Sequence, residues 1–274
     1  YTSLVESQAR FAAHVNQLAS EQEVVPGYWL AKPFRDDAHD FAYATGEIAY
    51  DAGKFFHFRL GRGKQFIGEG YRSMLMSDNS VNYPFFRIET TVGKVKYVNL
   101  WAVMSDLRPE VALADDVYAK KYLSMHYLSI NIGRRWNLGL FEGMMWGDEL
   151  NRYGFDANFL NPVILYRPVE FAQGFTGGNI LMGINTSYQL PGGLKVYGQI
   201  AIDEFLFEEI RDWSNGSWLN MMAWQAGVKW GDALGIRNLF LRAEYNAARP
   251  YTYAHREVLT NWGHYSQPLA HPLG

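Results

Sequence analysis

The sequence predicts an all-β chain of antiparallel strands and, within that class, a transmembrane β-barrel. Three observations carry the prediction: strictly alternating strand-length segments, an aromatic-rich composition with few charges, and short turns that alternate with long loops. From Gly193 to Glu204, Leu194, Val196, Gly198, Ile200 and Ile202 fall on one face, and Lys195, Tyr197, Gln199, Ala201 and Asp203 on the other. In 239–246, Leu239, Leu241, Ala243 and Tyr245 likewise oppose Phe240, Arg242, Glu244 and Asn246. Period two marks a half-buried strand, and charged groups on the second face mean that this face meets water. Two architectures satisfy the pattern. The apolar faces form the core of a large soluble β-protein, or they face lipid while the polar faces line a lumen.

Composition favours lipid. The 274 residues include 18 Tyr, 17 Phe, 9 Trp and 26 Gly, but no Cys and only 19 % charged residues. No run approaches the roughly 20 consecutive apolar residues of a transmembrane helix. A barrel exposes only alternate residues to lipid, so its mean hydropathy stays near that of a soluble protein, as here. The absence of Cys removes disulfides, thiolate catalysis and Cys-type zinc sites, and fits an oxidising envelope compartment. A net charge of −3 gives no basic face for nucleic acid. The opening residues Tyr1 to Gln8 lack the basic and apolar regions of a signal peptide, and there is no initiator Met. The chain reads as a mature or trimmed piece of something longer.

Residues 1–40 differ from the rest. Phe11, Val15 and Leu18 have helical spacing and the turn Val25-Pro26-Gly27 follows, so a short helix or ordered loop is expected. The barrel region is 41–274, with strands over 41–50, 54–62, 84–92, 95–104, 122–133, 136–146, 162–169, 178–190, 193–203, 219–230 and 238–247. Several match the roughly 9–11 residues with which a tilted strand crosses a bilayer. Joins such as Pro191-Gly192-Gly193 and Gly133-Arg134-Arg135 suit antiparallel hairpins. The links 104–121, 147–161 and 204–218 are long loops at the opposite end, the asymmetry of an outer-membrane barrel. Trp136 and Trp146, Trp218 and Trp230, and Tyr188 and Tyr197 lie near strand ends, where amphipathic rings form girdles at headgroup level. That placement favours the barrel over a soluble β-sandwich or β-helix.

The glycine-rich run Gly61 to Gly70 lacks the Gly-Lys-Ser/Thr ending and the βαβ setting of a phosphate loop. Gly61, Gly63, Gly68 and Gly70 instead let the chain turn inward or pass close to a barrel wall, which would aim Arg72 and Ser73 into the lumen. Arg59, Arg72, Arg87, Glu89, Asp203, Arg242 and Glu244 are assigned inward, because an Arg or Lys facing lipid at the bilayer midplane costs roughly 2–4 kcal/mol. They form either a salt-bridged network that fills the lumen or a polar track for a charged glycan. Loop aromatics Trp213, Trp218, Tyr251, Tyr253 and Trp262, with Arg249 and His255, are the candidate contacts to glycan or partner, since rings cover the apolar faces of sugars. His255 and His271 are also expected to hold loop backbone near Arg249-Pro250-Tyr251.

No catalytic set emerges. The carboxylate pairs Asp203 with Glu204, Glu208 with Glu209 and Asp115 with Asp116 are sequence neighbours, which point to opposite faces of a strand and cannot flank a glycosidic bond. His126, His255, His264 and His271 show no metal-ligand spacing. No enzyme activity, cofactor or metal is expected.

The stretch Phe58 to Asp78, FRLGRGKQFIGEGYRSMLMSD, resembles the corresponding region of Wzi-type capsule-assembly proteins, above all the Bacteroidetes branch with gliding-motility-associated RemB-like members. Lys121 to Ser129, Leu160 to Arg167, Tyr197 to Glu204, Arg249 to His255 and His264 to Gly274 resemble that branch in the same order. The resemblance implies an outer-membrane β-barrel, in a bacterial outer membrane, that binds or organises surface polysaccharide as a lectin and without catalysis. Family members are longer on both sides, which implies that further strands complete the barrel. No sugar-binding residue is carried over, because the loops match poorly. The alternatives are a docking subunit of an envelope secretion or gliding complex, with protein partners, and a porin-like channel.

Overall fold

The structure, a computed structural model, describes residues 2–7, 17, 19–21, 23–25, 29–35, 38–108, 118–147, 157–163, 178–204, 221–255 and 258–273. The strands are β1 (Thr2–Ser7), β2 (Val24–Val25), β3 (Trp29–Leu30), β4 (Lys32–Phe34), β5 (Ala38–Ala52), β6 (Phe56–Gly63), β7 (Tyr83–Val92) and β8 (Val95–Asp106). They continue with β9 (Ala119–Ile132), β10 (Trp136–Gly147), β11 (Asn179–Gln189), β12 (Leu194–Glu204), β13 (Met221–Trp230), β14 (Leu241–Ala248), β15 (Gly263–His264) and β16 (Gln267–Pro268). Helical conformation among the described residues is confined to 17 and 19–21 and to short 3-10 turns such as Ala157–Leu160. No helix among them is long and apolar enough to cross a membrane, which leaves strands untested.

Eleven strands form one antiparallel sheet in the order β1-β5-β6-β7-β8-β9-β10-β11-β12-β13-β14. From β5 onward each strand pairs with its sequence neighbour, as hairpin-linked strands do. Two-stranded pairs β2-β3 and β15-β16 stand beside it, and β4 folds back on the start of β5. Among the described residues the order ends at β1 and β14, each paired on one side.

Connections alternate in length. Gly53–Phe55, Gly93–Lys94, Gly133–Arg135 and 190–193 are tight turns at one end of the sheet. Gly93 opens its two-residue turn at φ 59° and Gly192 and Gly193 sit at φ 74° and 75°, conformations that favour glycine. The intervals 64–82, 107–118, 148–178 and 205–220 separate strands at the other end.

Two parts of the sequence reading need correction. Thr2–Ser7, expected within a helix or loop, is a strand paired from Thr2↔Gly46 to Ser7↔Phe41. Its Thr and Val suit a strand, and it covers a β5 edge that would otherwise be bare. The strand expected over 162–169 does not begin at Pro162 and Val163, which are irregular; 164–169 lie outside the described residues.

Register divides the sheet into two faces. Along one, Arg59 lies opposite Arg87, Arg87 opposite Leu100, Leu100 opposite Met125, Met125 opposite Gly143 and Gly143 opposite Leu181. This is the packed face: Leu100, Leu123, Met125 and Leu181 are fully buried in the main core. Along the other, Leu140 lies opposite Ile184, Ile184 opposite Ile200 and Ile200 opposite Trp224. This face is apolar and open, with Ile48 75 % and Leu60 58 % exposed. Phe56, Phe58, Phe86 and Trp101 stack across it with successive ring centroids 6.3, 6.5 and 5.7 Å apart. At the turn end, the Trp136 indole donates to Thr186 Oγ1 (2.9 Å) and the Trp230 indole to Gly192 O (3.1 Å), each ring body remaining on the open face.

Candidate functional site

The packed face is covered by pieces of the chain itself, 64–82 on one side and 249–255 with 258–273 on the other. Met74, Leu75 and Met76 from the first, and Tyr253, Trp262, Leu269 and Ala270 from the second, join the core that Leu100, Leu123 and Met125 provide. The two pieces are bonded to each other: Tyr253 Oη donates to Met74 O (2.8 Å), Trp262 Nε1 to Leu75 O (3.1 Å) and Ser77 N to Leu269 O (2.6 Å). Glycine makes the approach to the sheet possible. A Cβ on Gly68, at φ 137°, would strike the Gln199 side chain, and one on Gly70 would strike Gln225. Those two glutamines bind the passing backbone. Gln199 Oε1 accepts from Met74 N (2.8 Å) and Ser73 Oγ (3.2 Å), and Gln225 Nε2 donates to Arg72 O (2.7 Å).

Toward the turn end the packed face changes from apolar to ionic. Glu69 is held between Lys195 (2.6 Å) and Lys229 (3.2 Å), with Ser187 Oγ donating at 3.2 Å. Burial pushes the Glu69 carboxyl up, but the hydrogen bonds and charges of the two lysines outweigh that and hold it below the usual carboxylate range. Glu244 accepts from Tyr197 Oη (2.6 Å) and from the Tyr71 backbone N–H (2.9 Å). Arg242 lies over the rings of Phe240 and Tyr71, and Arg72 pairs with Asp78 at 3.0 Å. On the β5–β8 side, Arg87 binds Glu89 (2.5 Å) and Gln65 Oε1 (2.7 Å), Lys96 also binds Glu89, and Arg59 forks onto Glu47.

The seven charged residues assigned inward from sequence therefore belong to four groups. Arg59 sits with Glu47; Arg87 with Glu89; Arg72, Arg242 and Glu244 gather around Tyr71. Asp203 stands apart, its carboxylate accepting from Asn179 Nδ2 (2.7 Å) and Tyr253 N (3.0 Å). Sequence reasoning missed Glu69, Lys195 and Lys229. Lys195 and Lys229 were legible on the polar faces of their strands; Glu69 was hidden in a segment without periodicity.

The expected contacts with glycan or partner separate. Tyr253 and Trp262 are 5 % and 2 % exposed, and both serve the core, so neither is a loop contact. Each is bonded to backbone of the other covering segment, and a ring thus engaged presents no face to a ligand. Tyr251 is 64 % exposed and Arg249 and His255 are half-buried, with His255 Nδ1 and Thr260 Oγ1 2.6 Å apart. His271 is buried and its Nδ1 accepts from Leu273 N (3.3 Å), some way from Arg249-Pro250-Tyr251 in sequence. Trp213, Trp218, Asp115, Asp116, Glu208 and Glu209 lie outside the described residues. His264 is buried; burial drives its imidazole down to about 3, so it is neutral, accepting from Ser105 N at Nδ1 (3.1 Å). No cluster of metal-ligating side chains exists among the described residues.

The open face carries one polar sector that the sequence did not reveal. Asn99, His126 and Glu142 align across β8, β9 and β10, and all are buried, Asn99 and His126 beneath the segment Ala157 to Val163 that they bond. Asn99 Nδ2 donates to Pro162 O (3.0 Å), Ser124 Oγ and Trp101 Nε1 to Phe159 O (2.8 and 3.0 Å), and His126 Nε2 is 2.9 Å from Asn161 O. His126 Nδ1 lies 3.6 Å from Glu142. Four side chains thus fix an irregular strap to the outside of the sheet. No family model, curated protein or solved structure matches this chain.

Proposed function

We propose that this chain forms the wall of an outer-membrane β-barrel of the Wzi-like class, which binds or organises surface polysaccharide without catalysis. The observation that carries the reading is the two-faced sheet. An apolar face open to its surroundings outside the strapped sector of β8–β10, ringed by Trp136, Tyr188 and Trp230 at the turn end, suits lipid. In water so large an exposed patch would be an aggregation hazard. The opposite face, which would line the lumen, is filled by 64–82, 249–255 and 258–273, and that filling favours a scaffold over a porin-like channel. The glycan part of the reading rests on the resemblance of Phe58 to Asp78 and the later blocks to that family. Exposed Tyr71 and Tyr251 with Arg72 and Arg242 nearby in sequence or space offer the ring-and-charge combination that carbohydrate uses.

The test is purification of the native protein in mild detergent, with analysis of copurifying carbohydrate and protein and of conductance in planar bilayers. Stoichiometric polysaccharide and near-zero conductance are the expected results. A defined protein complex without glycan would replace the lectin by the docking subunit. Open-pore conductance would remove the filled-lumen scaffold.

A further inference from the structure

Positive charge gathers at the tight-turn end of the sheet. Lys54 sits in the β5–β6 turn, Lys94 in the β7–β8 turn, Arg134 and Arg135 in the β9–β10 turn, and Arg237 in the 231–240 connection from β13 to β14. All five are exposed. Asp232 is the one carboxylate in these connections, and its Oδ1 accepts from Asn238 N (2.7 Å). Asp51, two residues before the first turn, lies 2.5 Å from His57 Nδ1. Among the described residues none of the five cations is in an ion pair or over a ring. The lysines deeper on the packed face differ: Lys96 is engaged by Glu89, and Lys195 and Lys229 by Glu69.

An apolar level lies directly beneath this charge. The last open-face positions before the turns include Phe56, Val92, Val95, Ile132, Trp136 and Leu241, all between 37 and 54 % exposed. Register keeps them on one face: Val92 is opposite Val95, Ile132 opposite Trp136 and Trp230 opposite Leu241. Lys94 precedes Val95, Arg135 precedes Trp136 and Lys54 is two residues from Phe56. At about 3.3 Å per residue, each of these cations therefore starts roughly 3–7 Å beyond the apolar level. The indoles of Trp136 and Trp230, bonded to the sheet through their N–H groups, stand at the same level, where amphipathic rings settle against headgroups. Basic side chains rooted just past that level carry their charge to phosphate oxygens while their stems stay on the apolar side. Charge alone suits any solvated turn; the apolar band immediately beneath it gives the end of the sheet the profile of a bilayer surface.

We propose that the turn end is a rim that binds the headgroups of anionic phospholipid, with Lys54, Lys94, Arg134, Arg135 and Arg237 taking the phosphate oxygens of the leaflet they reach. The proposal rests on the barrel reading above, in which the short turns are the periplasmic end. The test reconstitutes the full protein in vesicles of phosphatidylcholine and phosphatidylglycerol. Electron spin resonance then measures how much spin-labelled lipid of each kind is held at the protein surface. Phosphatidylglycerol is preferred about fivefold, the scale of one Lys or Arg beside an anionic lipid surface, and added salt lowers the preference. Changing all five cations to Gln removes most of the preference. The pair Lys54→Arg and Lys94→Arg keeps it, because a headgroup phosphate accepts from either cation. All five positions are exposed turns, so circular dichroism and melting of both variants match wild type. Equal association of the two lipids, or an unchanged preference in the five-Gln variant, overturns the rim and leaves the barrel standing, since lipid of either kind is still immobilised on the apolar face. Immobilisation of neither lipid removes the barrel and the rim with it.

Discussion

Replacing Glu69 by Ala tests whether the ionic layer of the packed face holds the covering segment in place. The Glu69 carboxylate is the shared partner of Lys195 and Lys229 and also accepts from Ser187; its side chain is 17 % exposed, and theirs 31 % and 22 %. Hydrogen bonds to charged groups contribute roughly 1.5–3 kcal/mol each before solvent screening. Lys195 and Lys229 stand directly opposite each other in the β12–β13 register, so removal of the carboxylate leaves like charges on facing residues. After a discount for partial exposure, Glu69→Ala should lose about 3 kcal/mol and Glu69→Gln about 1–2 kcal/mol. Urea unfolding in lipid or detergent, followed by tryptophan fluorescence, measures both. Adding Lys229→Met to Glu69→Ala should restore part of the loss, because it removes the facing repulsion. The sign of the pH dependence follows from the depressed carboxyl. Its contribution is complete above the unfolded carboxylate value of about 4.3 and is lost as pH falls through the lower folded value. The wild-type advantage over Glu69→Gln should therefore be constant at neutral pH and shrink in acid below about pH 4. A Glu69→Ala protein as stable as wild type, or an advantage that grows in acid, would refute the reasoning.

Three further outcomes are expected. Trp262→Ala should destabilise by roughly 3–5 kcal/mol through a core cavity, whereas Tyr251→Ala at its exposed position should stay within about 0.5 kcal/mol by thermal melting. Gly143→Val places a side chain against the Trp262 ring on the packed face and should lose about 1–3 kcal/mol by overpacking, seen as a lowered melting temperature. The chain has no Cys, so single cysteines report cleanly: Ser124→Cys beneath the strap should resist thiol reagents, while Ile184→Cys on the open face, 45 % exposed, should react with a lipid-soluble maleimide.

Much of the sheet was legible because each strand repeats one physical statement. In β12 the alternation of Leu194, Val196, Ile200 and Ile202 with Lys195, Tyr197, Gln199 and Asp203 fixes which residues share a face. Register then follows from the tight turns at Gly93, Gly133 and Gly192. The candidate site was legible to a lesser degree. Polar strand positions such as Arg87, Asp203 and Lys195 could be assigned to a face, but their partners Gln65, Tyr253 and Glu69 sit in segments with no period. Aromatic residues misled for a related reason: Tyr253 and Trp262 have loop-like neighbours in sequence, yet their N–H and O–H groups find backbone carbonyls on 64–82, which lets the rings bury.

The strapped sector shows where the alternation rule itself gives way. On β9 the open-face positions Leu128, Ser124 and His126 read as an ordinary strand containing two polar interruptions, and Glu142 on β10 adds a carboxylate to the same side. If the sheet is the barrel wall proposed above, His126 and Glu142, six residues from the strand ends at the turn, would lie roughly 14 Å along the membrane normal at a 45° tilt, which would be membrane depth. Uncovered, such groups would face hydrocarbon. The strap resolves the conflict locally, since Asn99, Ser124 and His126 meet carbonyls of Phe159, Asn161 and Pro162 while Leu160 and Val163 turn apolar side chains outward, 48 % and 62 % exposed. The polar side chains and the irregular segment are therefore one unit, each satisfying the backbone or side-chain groups that the other leaves open. Period two describes a strand against a uniform medium, and these three strands meet instead a second layer of their own chain.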